Sequence, residues 1–284
     1  MAESHDLETL ALDELRFSAA RGDAAAEHEL GRRFLDGIGV APDLPAALGF
    51  FRSSADKGYA PAEYELGRAY DPIGMARLYG IDGNSALSLQ WHLKAATQGD
   101  RRSMVMVATA YRYGMGGLPA DSGKAAAWYG RLAESGDAPA MLNLGLMAVE
   151  GARYDEASAW LRRAAKLGAP TAFAVLRGYI EQGILLPIAA EEELELLDAG
   201  IRAGDESAFL ILGLEHDKGE DVPRDVVKAF AYLTLVSYSE EAKGRPGPAS
   251  DAVARLQHEL TPAEHAAAND LLKETMEDLS RICD

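Results

Sequence analysis

The sequence predicts an all-α fold: a right-handed α/α superhelical solenoid of about six helix-turn-helix repeats, with helical caps at both ends. Three observations predict it. Gly22, Gly58, Gly99, Gly136, Gly168 and Gly204 are each followed four residues later by a small residue, in order Ala26, Ala62, Ser103, Ala140, Ala172 and Ala208. These glycines recur at steps of 36, 41, 37, 32 and 36 residues, a period of stacked helix pairs rather than of a single-core enzyme fold. The 12 prolines and 28 glycines fall largely at segment ends, and no β-branched alternating run is long enough for a sheet.

Residues 1–22 read as an N-terminal capping helix, with Leu10, Leu12, Leu15 and Phe17 turned toward the first full unit and Glu8, Asp13 and Glu14 outward. Six repeats then occupy residues 23–242. Their first helices share a small-x-x-x-apolar-small pattern, as in Ala26-Glu-His-Glu-Leu-Gly31, Ala62-Glu-Tyr-Glu-Leu-Gly67 and Ala140-Met-Leu-Asn-Leu-Gly145. Small residues five apart with an apolar one between them bring this helix close to another backbone. Gly37, Gly114, Gly151, Gly183 and Gly219 end these helices, each placed where a left-handed closing residue is needed. In the second helices all three tryptophans, Trp91, Trp128 and Trp160, stand eight residues before a repeat glycine, and Phe50, Leu196 and Tyr232 fill that slot elsewhere. A large side chain there is expected to wedge between the two helices of every unit.

This pattern resembles the SEL-one-like repeat, a subfamily of the tetratricopeptide-type repeats. Ala26, Leu30, Gly31, Phe34, Gly37, Gly39, Val40, Asp43, Ala47, Phe50, Phe51, Ala55 and Gly58 fill that family's slots in order, and Trp128-Tyr129 and Trp91-His92-Leu-Lys94-Ala-Ala96 add specific matches. The second unit departs by an insertion, Asp71 to Asn84, and the fourth by losing most of its loop at Gly151 to Tyr154. The fifth is degenerate, with Glu193 in place of a small residue, so looser or bent packing is expected there. Residues 243–249 form a linker, and residues 250–284 form two capping helices, the second opened by Thr261-Pro-Ala-Glu264. Ala254, Leu256, Leu260, Leu271, Leu272 and Met276 are expected to cover the last repeat.

Composition narrows the function. Twenty-eight basic against 45 acidic residues give a net charge of −17, which disfavours nucleic acid and anionic membrane surfaces and suits a basic protein partner. Glu181 to Asp225 alone holds 13 acidic and three basic residues. Met1 to Leu7 shows no basic region followed by an apolar stretch, so the cytoplasm is the expected location. The single cysteine, Cys283, excludes an intrachain disulfide framework. His5, His28, His92, His216, His258 and His265 occur singly, without metal-ligand spacing, and Gly114-Met-Gly-Gly117 lacks the Lys-Ser/Thr of a phosphate loop. No catalytic residue, metal site or cofactor is expected. Some members of the resembling family carry a cysteine pair per repeat and are linked to β-lactam hydrolysis or binding; this chain has no such pairs, which counts against the hydrolase alternative.

The resemblance implies instead a scaffold or adaptor that binds another protein, the first helices lining a concave face. A second reading is a bacterial immunity or regulatory protein that blocks a toxin or enzyme. Carried over unit by unit, the outward positions of those helices single out Tyr64, Arg68, Met106, Arg112, Tyr113, Asn143 and Leu146 as the partner-binding set. These are residue types enriched at protein contact sites. Oligomeric state is left open by the sequence.

Overall fold

A computed structural model describes residues 11–73, 76, 82–220, 222–244 and 247–283. They form helices and no strand, packed into two compact units, residues 1–132 and 133–284. The first unit holds α1 (Leu12–Ala20), α2 (Ala24–Asp36), α3 (Leu44–Asp56), α4 (Ala60–Ala69), α5 (Ser85–Thr97), α6 (Arg101–Tyr113) and most of α7 (Ser122–Glu134). The second holds α8 (Ala138–Glu150), α9 (Tyr154–Lys166), α10 (Ala172–Glu181), α11 (Ala190–Arg202), α12 (Glu206–Lys218), α13 (Val226–Ala242), α14 (Pro248–Glu259) and α15 (Pro262–Cys283). The pairs α2/α3 through α12/α13 are six consecutive hairpins.

Local chemistry starts four of the six hairpins in the same way. Asp23, Asp100, Asp137 and Asp205 stand just before α2, α6, α8 and α12 and accept hydrogen bonds from backbone N–H groups of the first turn, as Asp43 and Asn84 do before α3 and α5. Each supplies a partner to a donor that the helix itself leaves unpaired. At the far ends of α2, α6 and α12, Gly37, Gly114 and Gly219 adopt the left-handed conformation at φ 74°, 70° and 71°. Gly151 departs from this expectation, at φ −89°. Its loop is the shortened one, and the positive φ falls on the next residue, Ala152, at 54°.

The small residue opening the pattern is at most 1 % exposed in all six first helices, and Leu30, Leu66, Val107, Leu144, Leu176 and Leu212 are buried beside it. In four hairpins the wedge between paired helices needs correcting by one residue. Four of the six slot residues, Phe50, Trp128, Trp160 and Tyr232, are half-buried at the edge of the core, while Trp91 and Leu196 are buried in it. Three of the slot's rings carry cations from the next turn, Lys94 over Trp91, Arg131 over Trp128 and Arg163 over Trp160. Full burial belongs to the following residue, Phe51, His92, Tyr129, Leu161, Leu197 and Leu233, none more than 2 % exposed. The reason is the glycine of the facing helix: a Cβ on Gly31, Gly67, Gly145 or Gly213 would come within 2.6–2.7 Å of Phe51, His92, Leu161 or Leu233. The missing side chain makes the space that the wedge fills.

In the degenerate fifth hairpin Arg177 takes the glycine's place, and Glu193, the unexpected acid of α11, answers it. Its guanidinium meets Glu215 at 2.7 Å, Glu181 at 2.9 Å and Glu193 at 3.7 Å, so an ion-pair cluster replaces the close backbone approach. At the N-terminal side Leu15 and Ala19 of α1 cover Ala26 and Leu30, while Phe17 is 66 % exposed, contrary to its expected packing. Leu10 lies outside the described residues. At the other end Leu256, Leu260 and Ala268 close a core with Phe209, Phe230 and Leu233. Ala254 and Met276 are exposed rather than covering. Helix α14 starts at Pro248, two residues earlier than expected, because the Glu240 carboxylate accepts from the backbone N–H groups of Gly247, Ala249 and Ser250. The Thr261/Glu264 capping box opens α15 as expected.

Candidate functional site

Three of the seven sequence-selected residues converge. Tyr64 and Arg68 lie one turn apart on α4, and Met106 lies on the facing side of α6; together with Asp71, His92, Arg101, Arg102 and Val105 they line a cleft of about 470 Å³ in the first unit. The spacing of four residues between Tyr64 and Arg68, and between Arg102 and Met106, puts each pair on one helical face. Arg102 lays its guanidinium 3.7 Å from the centre of the Tyr64 ring, and Arg68 lies 5.7 Å from it on α4 itself.

The floor is built from buried groups. His92 of α5 packs under Gly67, with Nδ1 3.2 Å from the Ser103 hydroxyl, while the Ser88 hydroxyl donates to the Gly67 carbonyl at 2.7 Å. Burial lowers the His92 pKa to about 4, so the ring is neutral at physiological pH. His28, packed between Phe51 and Tyr59, is lowered to about 4 by burial, with Arg32 and Arg102 adding to the effect. Glu65 lies beneath the arginines. Burial raises its pKa, and Arg68, Arg102 and Arg32 pull the other way.

The other selected residues lie elsewhere. Arg112 and Tyr113 sit at the end of α6 outside this cleft, with the guanidinium 5.2 Å from the tyrosine ring and Tyr113 63 % exposed. Asn143 and Leu146 are half-buried in the second unit, Asn143 donating to the Pro139 carbonyl of its own helix at 2.9 Å. Sequence reasoning missed Arg101, Arg102 and His92. Counting outward positions from Ser103 forward discarded the two arginines, although Arg102 precedes Met106 by one helical turn. Their sequence signal is two cations in the first turn of a helix, where the macrodipole disfavours them.

Among the described residues no group of three or more His, Cys, Asp or Glu is placed to hold a metal ion, and no helix is long and apolar enough to cross a membrane. In the Gly114–Gly117 turn Gly116 serves packing, since a Cβ there would meet Leu89 at 2.8 Å, whereas nothing lies within 4 Å of one at Gly117. Asp217 is paired with Arg255.

Capped hairpins with a shared core register and an open cleft on the first helices define an α/α repeat protein. Sequence comparison gives the family: the Sel1 repeat model matches residues 24–59, 60–100, 101–137, 138–168 and 210–235, more than half of the chain, which therefore belongs to the Sel1 repeat family. The unmatched stretch contains the hairpin where Arg177 replaces the glycine. Among solved structures, a protective antigen present in uropathogenic Escherichia coli strains and displaying an SLR fold aligns at 25 % identity and a TM-score of 0.68, covering 94 % of this chain and 57 % of its own. The chain thus spans little more than half the length of that relative. A Sel1 repeat protein from Oxalobacter formigenes aligns at 23 % identity and a TM-score of 0.61, covering 77 % of this chain and 86 % of its own. A search of curated proteins returns no match. Sel1 repeat proteins are generally protein-interaction scaffolds.

Proposed function

We propose that this chain is a non-catalytic scaffold of the cytoplasm that binds a partner protein through the cleft of α4, α5 and α6. The observation that carries the reading is the convergence of Tyr64, Arg68, Arg102 and Met106 on one opening above a buried floor. Tyrosine, arginine and methionine held by packed helices offer contact area at low ordering cost, which is what a protein-binding face requires. Arg112 and Tyr113 extend this face along α6, and Asn143 and Leu146 provide a separate contact in the second unit. The immunity or regulatory reading has its own support in the acidic stretch of residues 181–225, a surface suited to a basic target.

Affinity capture from native lysate tests the proposal by comparing wild type with Tyr64→Ala/Met106→Ala and with Arg112→Ala/Tyr113→Ala. The expected outcome is a specific protein retained by wild type, lost with the first pair and reduced with the second. Undiminished capture by both pairs would move the partner site off this face.

A further inference from the structure

Within that reading, we infer that the cleft recognises an acidic peptide segment carrying a large apolar side chain close to its carboxylates. Two adjoining cavities make the case. The first, of about 470 Å³, is lined by Arg68, Arg101 and Arg102 against a single lining carboxylate, Asp71. The second, of about 310 Å³, sets Pro72, Ile73, Leu89, Ala110 and Met115 beside Ser85, Ser88 and Thr109. Asp71, His92 and Met106 line both cavities, so one bound segment can reach both.

The sign of the first cavity is set by which partner of each ion pair faces solvent. Arg68 is 41 % exposed while its partner Glu65 is 12 %; Arg102 is 51 % exposed while Asp100 is 13 %. Arg32 of α2 repeats the asymmetry, 41 % against 11 % for Glu29. The carboxylates are beneath and the guanidiniums outermost, so an incoming group meets positive charge on a chain whose net charge is −17. The N-terminus of α6 adds its own positive end, and Arg101 and Arg102 are held there against it. Planar guanidiniums at an open surface match a carboxylate with paired hydrogen bonds. The apolar cavity next to them takes the side chain that a carboxylate alone would leave in water. A basic partner, suited to the whole-chain charge, is repelled at this cleft.

Fluorescence polarisation tests the inference with a labelled peptide of about ten residues in which glutamate and leucine alternate, beside one with lysine for glutamate and one with serine for leucine. Wild type is expected to bind the first at least about tenfold more tightly than either control, and more weakly as salt rises. Arg68→Gln/Arg102→Gln should weaken binding about tenfold or more, and Ile73→Ser/Met115→Ser, at exposed positions, by a comparable factor with the melting temperature of this second variant unchanged. Equal affinity for the lysine peptide, equal affinity for the serine peptide, or no binding of any peptide at about 1 mM overturns the inference. A protein captured by wild type and lost with Tyr64→Ala/Met106→Ala, alongside such a peptide failure, leaves the scaffold proposal standing and removes only the acidic-peptide one.

Discussion

Gly31 and Gly49 lie in the two helices of the first hairpin, and the space around them makes opposite predictions for the same substitution. A Cβ at Gly31 would stand 2.6 Å from the Phe51 ring, whereas nothing lies within 4 Å of one at Gly49. Gly49→Ala should therefore stabilise the protein by about 0.5–1 kcal/mol, the helix preference of alanine. Gly31→Ala gains the same preference but overpacks the core by about 1–3 kcal/mol, so a net loss is expected in urea unfolding. The buried histidines give a second residue-level prediction. His28 and His92 have folded pKa values near 4, below the ordinary 6.5, so the unfolded chain binds more protons than the folded one between these values. Stability is accordingly full above 6.5 and falls as pH drops toward 4, by about 1 kcal/mol per histidine between pH 6.5 and 5.5. Hydrogen exchange in the first unit should show this slope, and His92→Phe, the residue type of the first hairpin's wedge, should remove about half of it; an unchanged slope would refute the assignment. The recurrence of small and apolar residues made the core of the first helices legible in sequence. In four hairpins the wedge was misread by one position, because the size of the slot residue marks it more loudly than the glycine or small residue opposite marks its neighbour; Trp91 and Leu196 are buried as expected.

At the level of elements, caps that look alike in sequence differ in what they hold. The Asp23 carboxylate accepts from Ala25 and Ala26 at an exposed helix start. Asp205 caps α12 through Ser207 and also accepts from the backbone N–H of Thr171 at 3.0 Å, joining the start of α10 to the start of α12. Asp23→Ala should cost about 1 kcal/mol. Asp205, only 5 % exposed, should cost about 2–4 kcal/mol when replaced by alanine, because a donor in the second unit loses its partner along with the cap. Thermal unfolding of the two variants checks the difference; equal losses would show that the Thr171 contact contributes nothing. The glycine stops of α2, α6 and α12 and the Thr261 start of α15 were read from local chemistry, whereas the aspartate starts of the repeats and the altered stop at Gly151 were not. Nor was the cross-hairpin contact of Asp205, since it joins residues 34 positions apart that no short motif links.

For the whole molecule, net charge is an average that conceals its own arrangement. The sequence gives −17, with 13 acidic residues between Glu181 and Asp225, and on that total a basic partner is expected. The first-unit cleft inverts the sign locally because its carboxylates are covered by the arginines they pair with, an arrangement that only the packed helices create. Three of the seven selected residues line the cleft for a related reason. A repeat pattern says which helical face is open, so Tyr64, Arg68 and Met106 could be named; it is silent on His92, which reaches the cleft from the neighbouring helix, and on arginines that precede the pattern's first residue. Partner docking at this cleft is the proposal on which the functional reading rests. The most direct measurement is photo-crosslinking in native lysate from a photoreactive phenylalanine analogue at Met106, 38 % exposed in the cleft, beside the same group at Tyr238, 55 % exposed in the second unit. A discrete protein adduct is expected from position 106 and none from position 238; the same adduct from both, or from 238 alone, would place docking elsewhere than this cleft.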